Sequence, residues 1–489
     1  MSRILLISAN REFMPYPVFP LGVAYIESAL AQAGQETHVF DVNCHKADRA
    51  PRALAAEIAR FKPDLVGVSV RNIDNLTYPT SVSYIGEIRL LVETCRRAAP
   101  HAPVILGGTG YSLLPVEALE ALGGDIGVVG EAEGRIVALV ERLENCGFRI
   151  SDFGPRITDI GGVMYRTGNG IHRTRPATPA ELVFPAEGPR RVGPDMKFYR
   201  REGGMSNVQT KRGCPFHCSY CTYPLLEGQG FQRRPAEAVA DEIERLASDS
   251  GVEYLYLVDN YFNFPTAHAE AVCQALVRRR LRVPWSCFAH PAYLDGRLPA
   301  LMREAGCASV ELGTDSGSAT MLENLCKEMT PEQILAASRA CRDAALPFAH
   351  YLLLGGPGET EQTLRETFDL MDRCEPTAVI VMCGIRIYPG TAIERQAREE
   401  GLLAPGEGLL EPKFYLSPAV RSTLLARVAE EAKRCSNWVV PGLEIHHSPR
   451  LTKWLRWRGY KGPMWDLLGQ RRRQKHLKDE GGSMKAENQ

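Results

Sequence analysis

The chain has 489 residues, enough for two or three domains that each bury a core of their own. Its 58 basic and 58 acidic residues balance, so overall charge gives no reason to expect a nucleic-acid partner. No apolar run approaches the roughly 18 residues of a membrane span, and the start lacks the pattern of a signal peptide. We therefore expect a cytoplasmic protein whose 14 cysteines are reduced, available for metal binding or packed as buried thiols.

Residues 1–148 alternate short apolar runs with helical patterns. The runs RILLISA, ETHVFD, DLVGVSV, PVILGG and IGVVG are uniformly apolar, as buried parallel strands are. They predict an α/β fold with a doubly wound parallel sheet of the Rossmann or flavodoxin-like kind, which binds ligands at the carboxyl ends of its strands. The motifs SVRNIDN, GGTG and GEAEG stand at those ends. The candidate binding residues there are Ser69, Arg71, Asn72, Gly107, Gly108, Thr109 and Glu131.

Three further regions follow. Residues 149–204 are rich in proline and glycine and predict a connector with a hairpin around Gly168 and Gly170. Residues 205–400 contain six more strand–helix units, which predict a partial (β/α)6 barrel with its working residues at the carboxyl ends of the strands. Residues 401–489 predict a mainly helical C-terminal region with a basic tail.

Three cysteines crowd the loop after the first strand of the predicted barrel, in the segment KRGCPFHCSYCTYP. Cys214, Cys218 and Cys221 have the spacing C-x3-C-x2-C. Together with His217 they would complete a four-ligand zinc site. Alternatively, three thiolates on a four-iron, four-sulfur cluster would leave one iron open for chemistry. No second cysteine cluster accompanies the loop, which favours the [4Fe-4S] cluster.

This cysteine loop in a partial barrel resembles the radical S-adenosylmethionine (SAM) superfamily, in which the open iron binds SAM and one electron cleaves it to a 5′-deoxyadenosyl radical. The resemblance implies that Tyr220 lies against the adenine. Segments ELGTDSGS, LLLGGPGET and LVDNYF resemble later motifs of that family. They imply SAM contacts from Glu311, Asp315, Ser316, Gly356 and Asp259. An ordinary reading of Glu311 or Asp259, as a helix cap or an arginine partner, stays equally open.

The N-terminal sheet joined to such a barrel resembles the cobalamin-binding class of radical SAM proteins. The resemblance implies cobalamin at the strand ends already named. The D-x-H-x-x-G motif is absent, because Asp41 and His45 are not followed by the glycine. We therefore expect no histidine on the lower face of cobalt. Arg71, Asn72 and Asp74 reach either the corrin amides or the substrate, or they form an ordinary capped, salt-bridged turn.

The reaction follows from the resemblance alone. Most relatives of this class are methyltransferases that act on an unactivated carbon or phosphorus, whereas a minority catalyse cyclisation or rearrangement. A third possibility is a metal-binding scaffold or sensor, which would not need the SAM segments. We expect a small-molecule, lipid or peptide substrate and a reductant such as flavodoxin or ferredoxin. The sequence identifies no catalytic residue.

The C-terminal tail is basic and rich in tryptophan. From Arg450 to Lys478 there are ten lysines and arginines and one acidic residue, interleaved with Trp454, Trp457 and Trp465. Such a segment could make peripheral contact with a membrane surface. It could equally be a basic helix packed on the barrel, and Pro463 would interrupt a long helix.

Overall fold

Two seven-stranded sheets organise the protein. The computed structural model describes residues 1–148, 157–191, 193, 195–446 and 448–468. Within these residues, no helix is both long and apolar enough to cross a membrane.

The first sheet is the doubly wound sheet that the apolar runs predict. Its strands stand in the order β2-β1-β3-β4-β5-β6-β7, and β1 to β5 are parallel. The strand order reverses between β1 and β3, and such a switch point opens a crevice at the carboxyl ends. The strands are β1 (Arg3–Ser8), β2 (Glu36–Asp41), β3 (Leu65–Ser69), β4 (Val104–Gly107), β5 (Ile126–Val128), β6 (Val163–Thr167) and β7 (Gly170–Arg173).

Helices cover both faces of this sheet, and their apolar sides form two cores. On one face Leu54 and Ile88 pack against Leu5 and Val68, while on the other Leu30 and Val140 pack against Leu6. The helices are α1 (Leu21–Gln32), α2 (Ala50–Phe61), α3 (Ile85–Ala98), α4 (Thr109–Leu113), α5 (Pro115–Leu122) and α6 (Ile136–Glu144).

The predicted hairpin forms, but it is not a separate connector. β6 pairs antiparallel with β5, and β7 pairs antiparallel with β6. The hairpin therefore adds two strands to the edge of the first sheet, which runs on to Arg173. The connector assignment was wrong here because pairing with a distant strand leaves no mark on local composition. The predicted connector residues 149–156 lie outside the described residues.

The second sheet is the predicted partial barrel. All six apolar runs form parallel strands, in the order β18-β15-β14-β13-β12-β11-β8 with one additional strand at the edge. The strands are β8 (Ser206–Val208), β11 (Leu255–Leu257), β12 (Trp285–Ala289), β13 (Cys307–Asp315), β14 (Phe348–Leu354), β15 (Ala378–Cys383) and β18 (Trp438–Val439). Two short antiparallel strand pairs flank them, β9 (Lys211–Arg212) with β10 (Gln232–Arg233), and β16 (Ile385–Arg386) with β17 (Phe414–Tyr415).

The remaining helices lie before, between and after the barrel strands. They are α7 (Met196–Phe198), α8 (Tyr223–Leu226), α9 (Ala236–Ser248), α10 (Thr266–Arg278), α11 (Leu298–Glu304), α12 (Ala319–Asn324), α13 (Pro331–Asp343), α14 (Glu361–Cys374), α15 (Ala392–Glu399), α16 (Leu424–Arg434) and α17 (Pro449–Trp457).

The C-terminal region completes the barrel rather than standing apart from it. β18 pairs parallel with β15 and becomes the edge strand of the sheet. Further on, the buried indole of Trp465 packs against Ala349 and Ala378 on two barrel strands and donates a hydrogen bond to Glu311 at 2.9 Å. The expected mainly helical region thus contributes a strand and an interior side chain to the barrel.

Candidate cofactor site between the two sheets

A cavity of about 350 Å³ opens where the carboxyl ends of the first sheet face the barrel. Ser8, Ser69 and Gly107 line it from the ends of β1, β3 and β4. Gln209 and Val258 line it from the barrel side, next to β8 and β11. A ligand in this cavity would therefore touch both domains.

One arm of the cavity runs deep into the first domain, between the sheet and its helices. Apolar side chains make its walls, with Ile4, Leu6 and Ile105 from the strands and Leu30 and Val140 from α1 and α6. Gly67 also lines it, on the middle strand β3. A channel with such walls takes a flat or elongated apolar group and gives it few hydrogen bonds.

Buried polar atoms around the cavity have no partner within the part of the chain that the structure describes. They include Nδ2 of Asn10 and the hydroxyl of Tyr25. Oε1 of Glu131 accepts no hydrogen bond either, although Nη1 of Arg212 lies 3.7 Å away. Leaving such atoms unpaired is costly, so they indicate hydrogen bonds to a ligand. Burial raises the pKa of Glu131, while Arg212 lowers it. The carboxyl and amide groups suit the many amides of a corrin, and the residues present therefore fit cobalamin.

Six of the seven candidate residues on the first sheet line this cavity. They are Ser69, Arg71, Gly107, Gly108, Thr109 and Glu131. Gly108 has a φ of +94°, and a Cβ there would lie 2.6 Å from the carbonyl oxygen of Val70. Only glycine allows this close approach, which brings the loops after β3 and β4 together. The hydroxyl of Thr109 completes the junction by donating to the carbonyl of Arg71 at 3.0 Å.

The loop after β3 divides between two roles. The side chain of Arg71 borders the open space of the cavity. Protein nevertheless surrounds the cavity there, and this burial lowers the pKa of Arg71. Asn72 does not line the cavity, so the structure gives no support to a corrin contact from it. Asp74 instead forms a buried ion pair with Arg386 of the barrel, with 2.9 Å between Oδ2 and Nε. The predicted salt-bridged turn is present, and it joins the two domains.

His45 lies away from the cavity. Its ring stacks on Phe40 with 4.6 Å between centroids, and it borders a separate surface hollow beside β2. The residues that line the cavity, all of them in described parts of the chain, include no histidine. That no histidine binds the lower face of cobalt stays a prediction.

The cysteine loop is shaped by its backbone. Gly213 has a φ of +94°, and a Cβ there would lie 1.8 Å from the carbonyl oxygen of Gly230. The amide of Cys214 donates to the carbonyl of Gly228 at 3.0 Å, and that of Ser219 donates to Leu325 at 3.0 Å. These bonds hold the loop between the segment that contains Gly228 and the end of α12.

The spacing of the three thiols bears on the choice between zinc and an iron–sulfur cluster. Three thiolates on one zinc ion would lie about 3.8 Å apart, given Zn–S bonds of about 2.3 Å. Among the described residues, neither the three cysteines nor His217 belongs to a group of ligand atoms all within 4.8 Å of one another. Wider spacing suits thiolates that each bind a separate iron of a cluster. His217 is moreover exposed.

Burial favours the protonated form of the three thiols. It raises the pKa of Cys214 and Cys221 to about 11 and that of Cys218 to about 12. Metal binding must therefore displace protons from these thiols.

A cluster of aromatic side chains packs around Phe216 of the cysteine loop. Phe216 stacks on His290 with 4.6 Å between ring centroids and also contacts Tyr261 and Phe264. These rings come from the ends of the neighbouring barrel strands, so the loop is held against the barrel mouth.

Lys327 is a site residue that the sequence analysis missed. Its buried Nζ lies 3.0 Å from Oδ2 of Asp315 and donates to the hydroxyl of Tyr261 at 2.9 Å. Tyr220 donates its hydroxyl to the same oxygen of Asp315. Burial would lower the pKa of Lys327, but Asp315 and Tyr261 raise it well above its usual value. Two predicted SAM contacts thus meet around a buried cation near the cysteine loop.

Asp259 supports the cysteine loop instead of facing an open space. Its carboxylate pairs with Nζ of Lys211 at 2.9 Å and accepts the amide of Thr210 at 2.7 Å. Lys211 also donates to the carbonyl of Phe262 at 3.1 Å. These partners occupy the carboxylate, so the structure favours a supporting role over the predicted SAM contact.

Glu311, Ser316 and Gly356 are also buried. Glu311 lies inside the barrel, where Tyr256 donates to it at 2.6 Å, and burial raises its pKa. Ser316 forms a hydrogen bond with Thr367 at 2.9 Å. A Cβ at Gly356 would lie 3.0 Å from Ile385, so the chain is packed tightly there. Of the predicted SAM residues, Tyr220 and Asp315 are brought together beside the cysteine loop.

Comparison with known proteins agrees with this arrangement. The family model of the B12 binding domain matches residues 10–140, and that of the radical SAM superfamily matches residues 208–371. The tryptophan 2-C-methyltransferase of Streptomyces laurentii is 28% identical over 447 residues, covering 78% of this chain and 73% of that protein. The cytidylyl-2-hydroxyethylphosphonate methyltransferase of Streptomyces wedmorensis is 22% identical, covering 83% of this chain and 84% of that protein.

Solved structures show the same two-domain architecture. The radical S-adenosylmethionine methyltransferase TsrM of Kitasatospora setae, with tryptophan and a SAM analogue bound, has a TM-score of 0.83 at 25% identity. The match covers 99% of this chain and 100% of that one. TsrM with cobalamin and a [4Fe-4S] cluster bound has a TM-score of 0.82 at 25% identity, covering 98% of this chain and 100% of that one.

The fold and the site define an enzyme with a B12-binding domain joined to a radical SAM domain. As its motifs predicted, the chain is similar to the cobalamin-dependent radical SAM methyltransferases. Its cofactors are a [4Fe-4S] cluster, SAM and cobalamin.

Proposed function

We propose that this enzyme transfers a methyl group from SAM, through cobalamin, to an unactivated carbon or phosphorus centre of a small molecule. The observation that carries the proposal is the cavity shared by the two domains. Its first-sheet side presents unpaired polar atoms suited to a corrin, and its barrel side lies next to the cysteine loop. A methyl carrier and a SAM site would therefore meet at one place.

The chain's own residues bind and position the cofactors. Cys214, Cys218 and Cys221 would each hold one iron of the cluster, and the loop bonds described above set their positions. Lys327 and Asp315 would hold Tyr220 beside that cluster. Arg71 and Glu131 would contact the corrin from opposite loops of the first sheet. When bound, the cofactors supply the methyl group and the radical chemistry, while the protein supplies position and exclusion of water.

The relatives support methyl transfer but differ in substrate. Their names include tryptophan, a cytidylyl phosphonate and hopanoid as methyl acceptors. A small molecule is the substrate class consistent with the tryptophan-bound structure, and a lipid or peptide stays a further possibility. We also propose that the enzyme works in the cytoplasm and receives electrons from flavodoxin or ferredoxin.

Cyclisation without methyl transfer is the second candidate. The anaerobic magnesium-protoporphyrin IX monomethyl ester cyclase of Rubrivivax gelatinosus is 28% identical over 365 residues, covering 72% of this chain and 61% of that protein. Two-domain architecture alone is thus compatible with both reactions.

The test follows the methyl group. Anaerobically reconstituted enzyme would be given methyl-deuterated SAM and L-tryptophan first, and then the metabolites of a cell extract. Methyl transfer by the radical route yields a labelled product, with S-adenosylhomocysteine from one SAM and 5′-deoxyadenosine from a second in about equal amounts. Product without the label would reject methyl transfer and favour cyclisation. Labelled product without 5′-deoxyadenosine would keep methyl transfer but reject the radical route.

The cluster assignment has its own test. Replacing Cys214, Cys218 and Cys221 together by alanine should remove iron, sulfide and SAM cleavage while cobalamin binding by the first domain persists. Stoichiometric zinc in the anaerobically purified wild type would contradict the assignment.

A further inference from the structure

One side of α17 is exposed and combines tryptophan with basic residues. Trp457 is 73% exposed, Trp454 is 48% exposed and Leu451 is 43% exposed. Arg450, Lys453 and Arg458 are exposed as well. Tryptophan is usually well buried, so two exposed indoles on one short helix call for a physical explanation.

The other side of α17 is fixed to the protein. Arg456 is buried and donates to the carbonyls of Tyr460 at 2.9 Å and Gly462 at 2.8 Å. Its guanidinium also lies 5.5 Å from the ring centre of Tyr16, in the loop after β1. The exposed side of the helix therefore points in a fixed direction. We call it the tryptophan face, and it consists of Arg450, Leu451, Lys453, Trp454, Trp457 and Arg458.

The tryptophan face has the chemistry of a membrane-surface helix. Its apolar members are two indoles and a leucine, and indoles favour the boundary between headgroups and acyl chains. Its other members are all basic, and α17 contains no acidic residue. Five more lysines and arginines follow within residues 471–478 of the sequence. Positive charge beside exposed indoles matches an anionic lipid surface.

A protein reductant is a poorer occupant of this face. The cysteine loop follows β8 and β9 at the carboxyl ends of the barrel strands. α17 contacts residues 199–203, which precede the amino end of β8. A reductant on the tryptophan face would therefore sit at the end of the barrel opposite to the cluster.

We propose that the tryptophan face docks the enzyme on an anionic membrane surface. Trp454 and Trp457 would insert at the level of the headgroups, and Arg450, Lys453 and Arg458 would contact anionic lipids. The proposal is independent of the reaction, because it depends on α17 and not on the cofactor cavity.

Vesicle flotation with the full-length holoenzyme tests the proposal. We expect binding to phosphatidylcholine vesicles that contain phosphatidylglycerol, about a hundredfold stronger than to phosphatidylcholine alone and reduced by high salt, since three basic residues each contribute to attraction. The variant W454A/W457A should weaken binding at least tenfold, and R450E/K453E/R458E should abolish the preference for the anionic lipid.

A matched control comes from α3, where Leu90 is 44% exposed and Arg97 is exposed. The variant L90A/R97E should bind vesicles as the wild type does. Equal binding to neutral and anionic vesicles, or anionic binding that both α17 variants retain, would overturn the proposal. So would tight binding of a single-stranded RNA oligonucleotide that vesicles fail to displace, since the face would then be a nucleic-acid site.

Discussion

The ion pair between Asp74 and Arg386 offers a direct test of how the two domains are held together. Both side chains are almost completely buried, and Arg386 also donates to the carbonyl of Leu409 at 2.8 Å. Asp74→Asn keeps the shape of the side chain but leaves a buried guanidinium without its countercharge. Removing one partner of a buried pair costs about 3–5 kcal/mol.

We expect this cost to appear as a lower free energy of unfolding in urea, with the apo protein followed by tryptophan fluorescence. Cobalamin affinity should fall as well, because Asp74 follows Arg71 by three residues and faces the barrel. The matched control is Asp159→Asn, which breaks an exposed pair with Arg142 in the same domain. That change should cost less than about 1 kcal/mol.

The single variant R386M and the double variant D74N/R386M complete a cycle that isolates the interaction between the two side chains. The double variant should recover part of the loss of D74N, because no unpaired buried charge remains. If D74N costs no more than the exposed control, the pair does not hold the domains together and the reasoning fails.

Three further outcomes are expected. Gly213→Ala should prevent cluster assembly, measured as bound iron and sulfide, whereas Gly230→Ala, with open space at its Cβ, should not. His45→Ala should still bind cobalamin, whereas Gly108→Ala should not, as measured from the absorption spectrum of the bound cofactor. The reverse result would show that the cavity has been misassigned. Burial lowers the pKa of His350 to about 3, so the stability that its neutral ring contributes is complete above pH 6.5 and declines as the pH falls. At about pH 5.5 His350 alone should account for a loss of about 1.4 kcal/mol in urea unfolding of the apo protein, measured as the difference in pH dependence between the wild type and His350→Gln.

Much of the fold could be predicted because burial on both faces makes parallel strands uniformly apolar. The six runs from residue 207 onward therefore marked every strand of the barrel up to β15. The hairpin of β6 and β7 was recognised from Gly168 and Gly170, but its pairing with β5 was not. Local sequence encodes a turn, whereas the identity of the neighbouring strand depends on the whole packing of the sheet.

The site shows the same limit. Cysteine spacing is local, so the cysteine loop could be found from the sequence alone. Lys327 stands in no motif, and it matters only because the chain brings it to Asp315. For Asp259 the sequence suggested a role that the structure does not favour. Its position at a strand end suggested a cofactor contact, but its carboxylate forms an ion pair with Lys211. Whether a buried acid is a ligand or a structural partner depends on which cation is nearest, and spacing does not record that.

The placement of Trp465 inside the barrel has a consequence for how the protein is made. Glu311 and β15 leave the ribosome long before β18 and Trp465 do, yet the edge strand and the indole partner of Glu311 come from those last segments. The first sheet can form while synthesis continues, because its strands are close in sequence. Until the last segments are made, the barrel lacks one hydrogen bond to the buried carboxylate of Glu311, and the edge of β15 has no neighbouring strand. A nascent chain stalled near residue 430 should therefore recruit chaperones, and release of the final 60 or so residues should end that dependence.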